Sequence, residues 1–235
     1  MFALAPILPS RFQRAAAPEN TALDLPALVG AAGWSRLPLA VQHRFSVTHD
    51  DVTYAGHMDL RCSPIGHIYV ALARILGGPL THLNTNSVPT TVRVCDNGHG
   101  GVVWERSFHV ERRDHARVVR STKEIGADGT LLERTDGGLS MSLDVFEENG
   151  ALVFRSRRFW LVLSIGRLGH VRLPVPALLT PGTCRVEHAN LGDGLFRFTL
   201  SMKHPLWGET FFQTGVFADP APTLNTTPIT TESAL

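Results

Sequence analysis

The stretch Gly194-Leu-Phe-Arg-Phe-Thr-Leu-Ser-Met-Lys-His204, Pro205-Leu-Trp-Gly208, Glu209-Thr-Phe-Phe-Gln-Thr-Gly-Val-Phe217 decides the fold. Phe196, Phe198, Leu200 and Met202 alternate with Arg197, Thr199, Ser201 and Lys203. A period of two is that of a strand with one buried face. Pro205 cannot donate to a strand ladder and Gly208 turns readily, so the chain reverses here and returns as a second strand. His204 and Glu209 flank this turn, where the edge of a sheet opens toward a mouth.

The same alternation recurs upstream. Val52, Tyr54, Met58 and Leu60 share one face of 52–62, with His57, Asp59 and Arg61 on the other. From residue 87 onward the spacing predicts strands over 88–96, 101–111, 114–123, 129–135, 138–147, 151–164, 170–177, 183–190, 194–204 and 209–218. Between them stand turn signals such as Asp96-Asn-Gly98, Ala127-Asp-Gly129, Asp136-Gly-Gly138, Glu148-Asn-Gly150 and Gly192-Asp-Gly194. Short, evenly spaced strands of this kind favour a meander that closes on itself. The expected fold is mainly β: a curved antiparallel sheet closing into a lipocalin-like barrel, with short N-terminal helices. Those helices fall between Leu25 and Phe45, broken by Gly33 and Pro38, and a further one spans 67–76. Residues 1–24, rich in Ala and Pro, are expected to form a flexible arm, 25–218 one barrel-like domain, and 219–235 a disordered tail.

Composition narrows the function. A net charge of +1 gives no strong attraction to nucleic acid or to an acidic surface. No apolar run approaches the ~18 residues of a membrane span. Three widely spaced cysteines (Cys62, Cys95, Cys184) argue against a disulfide framework and for a reducing, cytoplasmic setting. The apolar N-terminus is short, and Arg11 and Arg14 follow it rather than precede it, unlike a signal peptide.

Taken together, the pattern Trp34-x-Arg-Leu-Pro38, Arg44-Phe45, Tyr54-Ala-Gly-x-Met58, Trp104-x-Arg-x-Phe108, Leu132-Glu-Arg134, the strand Leu139–Val145 and His204-Pro-Leu-x-Gly208 resembles the domain-of-unknown-function family 4166. The resemblance covers roughly residues 28 to 218 and rests on the order and spacing of these motifs. It implies a domain found alone or behind a saccharopine-dehydrogenase-like domain, with no established activity. No Gly-x-Gly-x-x-Gly follows a strand here, so no such reductase is expected within the chain. The family usually ends in Tyr-Arg-Gly-Trp, where this sequence has Gln213-Thr-Gly-Val216. The loss of two large side chains implies a wider opening beside the Pro205–Gly208 turn.

The motif inventory of common enzymes is empty. There is no His-Glu-x-x-His, paired Cys-x-x-Cys, phosphate loop or Gly-x-Ser-x-Gly elbow, so neither metal nor cofactor is expected. The informative residues are charges on faces that otherwise read apolar. Arg106 shares a face with Trp104 and Phe108, Arg158 with Phe154 and Trp160, and Arg134 with Leu132. A buried guanidinium must be paired or must point into a wet cavity. Such arginines either tie strands together or polarise a ligand carbonyl or enolate.

The acid–base candidates are Asp59, Glu133, His188, His204 and Glu209. The substrate-binding candidates are Tyr54, Arg106, Arg134, Arg158, Trp160 and Gln213. For His188 the plainer alternative is a core histidine bonded to backbone. For Glu209 it is a rim ion pair. The residues point to a cofactor-independent enzyme holding a hydrophobic small molecule for cyclisation or isomerisation, as in secondary metabolism. A non-catalytic carrier of a lipid or similar molecule is the alternative. Neither a nucleic acid partner nor a membrane span is expected, and a homodimer is compatible with the composition.

Overall fold

The computed structural model describes residues 22–46, 51–75, 81–110, 116–164 and 170–220. Three short helices, α1 (Leu25–Val29), α2 (Ala31–Trp34) and α3 (Leu39–Ser46), lead into β1 (Val52–Cys62) and α4 (Pro64–Ile75). There follow β2 (Thr85–Asp96), β3 (Val102–Phe108), β4 (Arg117–Ile125), β5 (Leu131–Thr135), β6 (Leu139–Glu148) and β7 (Ala151–Ser164). The last strands are β8 (His170–Val175), β9 (Thr183–Gly192), β10 (Leu195–His204) and β11 (Gly208–Ala218), with a 3-10 turn at Ala177–Leu179. Apart from residues 22–24, 219 and 220, the expected arm and tail lie outside the described residues.

The strands pair antiparallel in the order β1 to β7, then β9, β10 and β11, and β11 returns to β1. Ten strands therefore form a closed barrel, the mainly β architecture that the alternation predicts. Closure leaves those strands almost no free edge, the start of β9 excepted. Strand β8 stands outside the ring, paired along the second half of β7. Two hairpins obey their turn chemistry. Asn149-Gly150 and Asp193-Gly194 both have positive φ (52° and 77°, 51° and 70°), matching the twist of the strands they join.

The core fills the barrel. Phe108, Phe154, Phe211 and Phe217 are almost fully buried there, with Met58, Leu60 and Leu152. One end is capped by the N-terminal helices. Asp24 caps α1 by accepting a hydrogen bond from the Ala27 amide (2.9 Å), and α3 buries Val41, Arg44 and Phe45 at this end. The ring of Phe45 lies 5.9 Å from Trp104 and 4.9 Å from His188. The opposite end lies beside α4, whose Gly66 packs so tightly on Thr210 that a Cβ would sit 2.5 Å from its carbonyl.

One irregularity reorganises the site. β6 and β7 slip register where Ser142 opposes Arg158 but Leu143 opposes Ser156, so Arg157 is an extra, bulged residue. Before the bulge Phe154 and Ser156 face the core. After it Phe159 does, while Arg158 is exposed and Trp160 half-buried. The expectation that Phe154, Arg158 and Trp160 share an inner face is thus corrected, because one inserted residue reverses every later side chain. A second correction concerns β5. Leu131 and Glu133 are the inward pair, opposite Leu143 and Met141, whereas Arg134 is exposed and donates to Glu124 (2.7 Å). A third concerns Val216, which is 41% exposed, so of the two positions that lose a large side chain Gln213 faces the interior and Val216 does not.

At the bulge β7 also parts from β9. The two strands pair only from Leu152 to Arg155, and beyond that point β7 carries β8 instead. The barrel wall is therefore parted along a seam between the second half of β7 and the start of β9.

Candidate functional site

A cavity of about 50 Å³ lies inside the barrel. That is room for about three or four water molecules or a small chemical group. Its walls are mostly aromatic and aliphatic, with Phe196, Phe198, Leu200, Met141 and Met202 among them. Into this apolar setting the sequence places an unusual set of charges.

Each charged side chain is fixed by its strand position. Lys123 of β4 stands directly opposite Glu133 of β5, and the two form an ion pair at 3.4 Å with both side chains buried. The Ser121 hydroxyl donates to the same carboxylate at 2.7 Å. Lys123 Nζ lies 4.9 Å from the ring centre of Trp104 and 5.4 Å from that of Phe154. Arg106 of β3, also buried, donates to Gln213 Oε1 of β11 at 3.3 Å and lies 5.7 Å from the Phe198 ring. At the helical cap, Arg44 makes a two-pronged pair with Asp219 (2.8 and 2.6 Å) and covers the Phe196 ring at 3.8 Å. Arg44 is thus balanced by Asp219, whereas Arg106 and Lys123 together face one carboxylate. Among the described residues the cavity therefore carries one more positive charge than negative.

Burial acts strongly on these groups. By itself it would raise the Glu133 carboxyl; Lys123, the Ser121 hydroxyl and Arg106 outweigh it and hold Glu133 below its ordinary value. His188 is driven well below 6.5, first by desolvation and then by Arg44, Lys123 and Arg106, so it is neutral at pH 7. Burial pushes Tyr54 up to about 12, and burial followed by Glu133 pushes Cys184 up to about 12. Both therefore line the cavity as neutral groups. Three buried polar atoms in the lining have no hydrogen-bond partner among the described residues: Trp104 Nε1, His188 Nδ1 and Arg44 Nη1. Buried polar groups are normally satisfied, so these three atoms set the cavity apart.

The sequence candidates fall into two sets. Tyr54, Arg106, Glu133, His188 and Gln213 converge on the cavity. The remaining candidates lie elsewhere. Asp59 is exposed and accepts from the Ser87 amide (2.8 Å), and Arg134 is held by Glu124. Glu209 sits on the rim, 3.8 Å from Arg61. His204 is buried but serves the turn: its Nδ1 accepts from the Leu206 and Trp207 amides (3.1 and 3.3 Å), and its Nε2 faces the Leu178 carbonyl (3.3 Å). Arg158 and Trp160 line an outer groove in the seam, where Arg172 stacks on the Trp160 ring at 4.9 Å.

Sequence reasoning missed Lys123 and Ser121 as site residues and overlooked Arg44. The available signal was rarity: Lys occurs only at 123 and 203, and 123 falls in register with Val119 on its strand.

Among the described residues no group of three or more His, Cys, Asp or Glu side chains is arranged to hold a metal ion. No helix among them is long and apolar enough to cross a membrane. No curated protein matches the chain, and no solved structure does. A family model matches residues 37–217, and the chain belongs to that family, the domain of unknown function DUF4166.

Proposed function

We propose that the barrel interior binds a small, largely apolar molecule bearing one anionic or carbonyl oxygen and isomerises or cyclises it without a cofactor. The observation that carries this reading is the mismatch of charge around the cavity: Arg106 and Lys123 against Glu133 alone, with unpartnered donors at Trp104 Nε1 and Arg44 Nη1. An oxygen that gains negative charge during a reaction is stabilised most by donors already fixed in a dry site. Negative charge developing on that oxygen offsets the cations that depress His188, so the neutral imidazole can then take a proton from the carbon beside the carbonyl and return it to another carbon. The negative charge then rests on the carbonyl oxygen near the cations until the proton is returned, and no atom is gained or lost. Substrates larger than the cavity require Met141 and Met202 to move, and unbranched thioether side chains repack at low cost.

Native mass spectrometry of protein purified from its own host tests the reading. We expect a co-purifying acid, phenol or ketone of constant mass, whose carbon-bound hydrogens exchange in heavy water with wild-type protein. Exchange should fall at least tenfold in His188→Gln, about 1.4 kcal/mol in the barrier. A constant ligand with no exchange would favour the carrier. No retained ligand and no exchange would contradict the proposal.

A further inference from the structure

The seam end of the barrel differs from the rest of the surface. The groove beside the bulge, about 640 Å³, is lined by Arg157, Arg158 and Lys203 and, among the described residues, by no carboxylate; Glu209, opposite Lys203 on β11, faces Arg61 at 3.8 Å. Arg157 is shared with Asp144 at 3.5 Å. An apolar groove of about 320 Å³ adjoins it, with Phe159, Val175 and Thr180 common to both. Around these grooves the protein exposes large apolar side chains on three separate elements. Ile68 and Leu72 project from α4, Leu178 and Leu179 (67% exposed) from the 3-10 turn, and Leu206 (66%) and Trp207 (54%) from the β10–β11 turn.

These elements meet at His204. Its Nε2 reaches the Leu178 carbonyl, its ring stacks on Trp207 at 6.0 Å and lies 6.2 Å from Tyr69 of α4. Leu178, Leu179, Leu206 and Trp207 therefore belong to one face, which the apolar groove extends to Leu72 of α4. A face that large is costly to leave in water unless something covers it.

We propose that this face docks on an anionic lipid surface. Leucines and a tryptophan on turns, flanked by arginine and lysine, form the pattern of interfacial anchors: the apolar tips enter the acyl boundary and the cations meet lipid phosphates. The chain's net charge of +1 does not oppose this, because the attraction acts within a Debye length and depends on the local cations. Docking would also bring the membrane to the interior. A small void of about 30 Å³ shares Phe159 and Leu139 with the apolar groove and Glu133, Met141 and Met202 with the central cavity. An apolar molecule leaving the bilayer would thus meet, in order, the groove, Phe159, the two methionines and the charged cavity. Docking stands independently of the proposed chemistry, since it rests on surface residues that the chemistry does not use.

Co-sedimentation of the full chain with large unilamellar vesicles tests it. The protein should pellet with vesicles of phosphatidylcholine mixed with phosphatidylglycerol, remain soluble with phosphatidylcholine alone, and be released by high salt. Leu206→Ser with Trp207→Ser should weaken partitioning at least about tenfold. Arg158→Gln and Lys203→Gln should each weaken it about fivefold. Leu39→Ser, an exposed site on the opposite cap, should change nothing, and all variants should melt like wild type. The proposal is overturned by absent vesicle binding, by unaltered binding in the double serine variant, or by an equal loss in Leu39→Ser. Self-association that the double serine variant abolishes, without vesicle binding, would also overturn it by seating a second copy there.

Discussion

At the residue scale, the buried charges divide by what they touch. Lys123 and Glu133 satisfy each other, so their pairing is structural as well as electrostatic. Lys123→Met strands an ionised carboxylate and should cost about 3–5 kcal/mol in urea denaturation, most of which the double variant Lys123→Met/Glu133→Gln should recover. His188 adds a pH signature. Its folded value lies below 6.5, so between the two values the unfolded chain binds more protons, and stability falls as pH drops through 6.5. We expect His188→Gln to flatten that decline by up to about 1.4 kcal/mol per pH unit, measured as the difference between wild-type and variant melts. A wild-type decline unchanged in the variant would show that other groups cause it. Arg106 and His188 were legible from alternation, since each sits in phase with apolar neighbours. Lys123 was not, because Val119, Ser121 and Lys123 form an inner face with one apolar member.

At the scale of elements, periodicity located the strands well where the pleat is regular. Strands β1 and β7 carry the boundaries that their patterns predict, and the Asn149-Gly150 and Asp193-Gly194 turns adopt the positive φ that their residues favour. Alternation cannot reveal a residue inserted without a Gly or Pro marker, so the bulge at Arg157 misdirected the reading of Arg158 and Trp160. Strand β7 offers a testable contrast. Deleting Arg157 removes only the extra residue and leaves Ser156 inward, Arg158 outward and Phe159 inward, so circular dichroism and melting should stay near wild type. Deleting the fully buried Leu152 slips a buried set to the opposite face and should abolish folding. Equal tolerance of both deletions would mean that register is weakly held along this strand.

At the scale of the whole molecule, a barrel closed by ten strands has more interior than its aliphatic side chains fill, and the remainder holds a polar cluster with a cationic excess. The helical cap with Arg44 and Phe45 seals one end, and the seam parts the wall toward the other. The barrel followed from strand spacing, but the seam did not, because it arises where β7 exchanges one partner for another. The central claim is that Arg106 is buried for a ligand rather than for the fold. It is tested most directly by calorimetric titration of small aromatic carboxylates into wild type and Arg106→Met, with both melted in parallel. The account predicts binding in wild type, at least tenfold weaker binding in the variant, and variant stability about 1–2 kcal/mol below wild type, the cost of leaving Gln213 unpaired. Equal binding by both proteins, or a loss of about 3–5 kcal/mol that marks a structural charge pair, would contradict it.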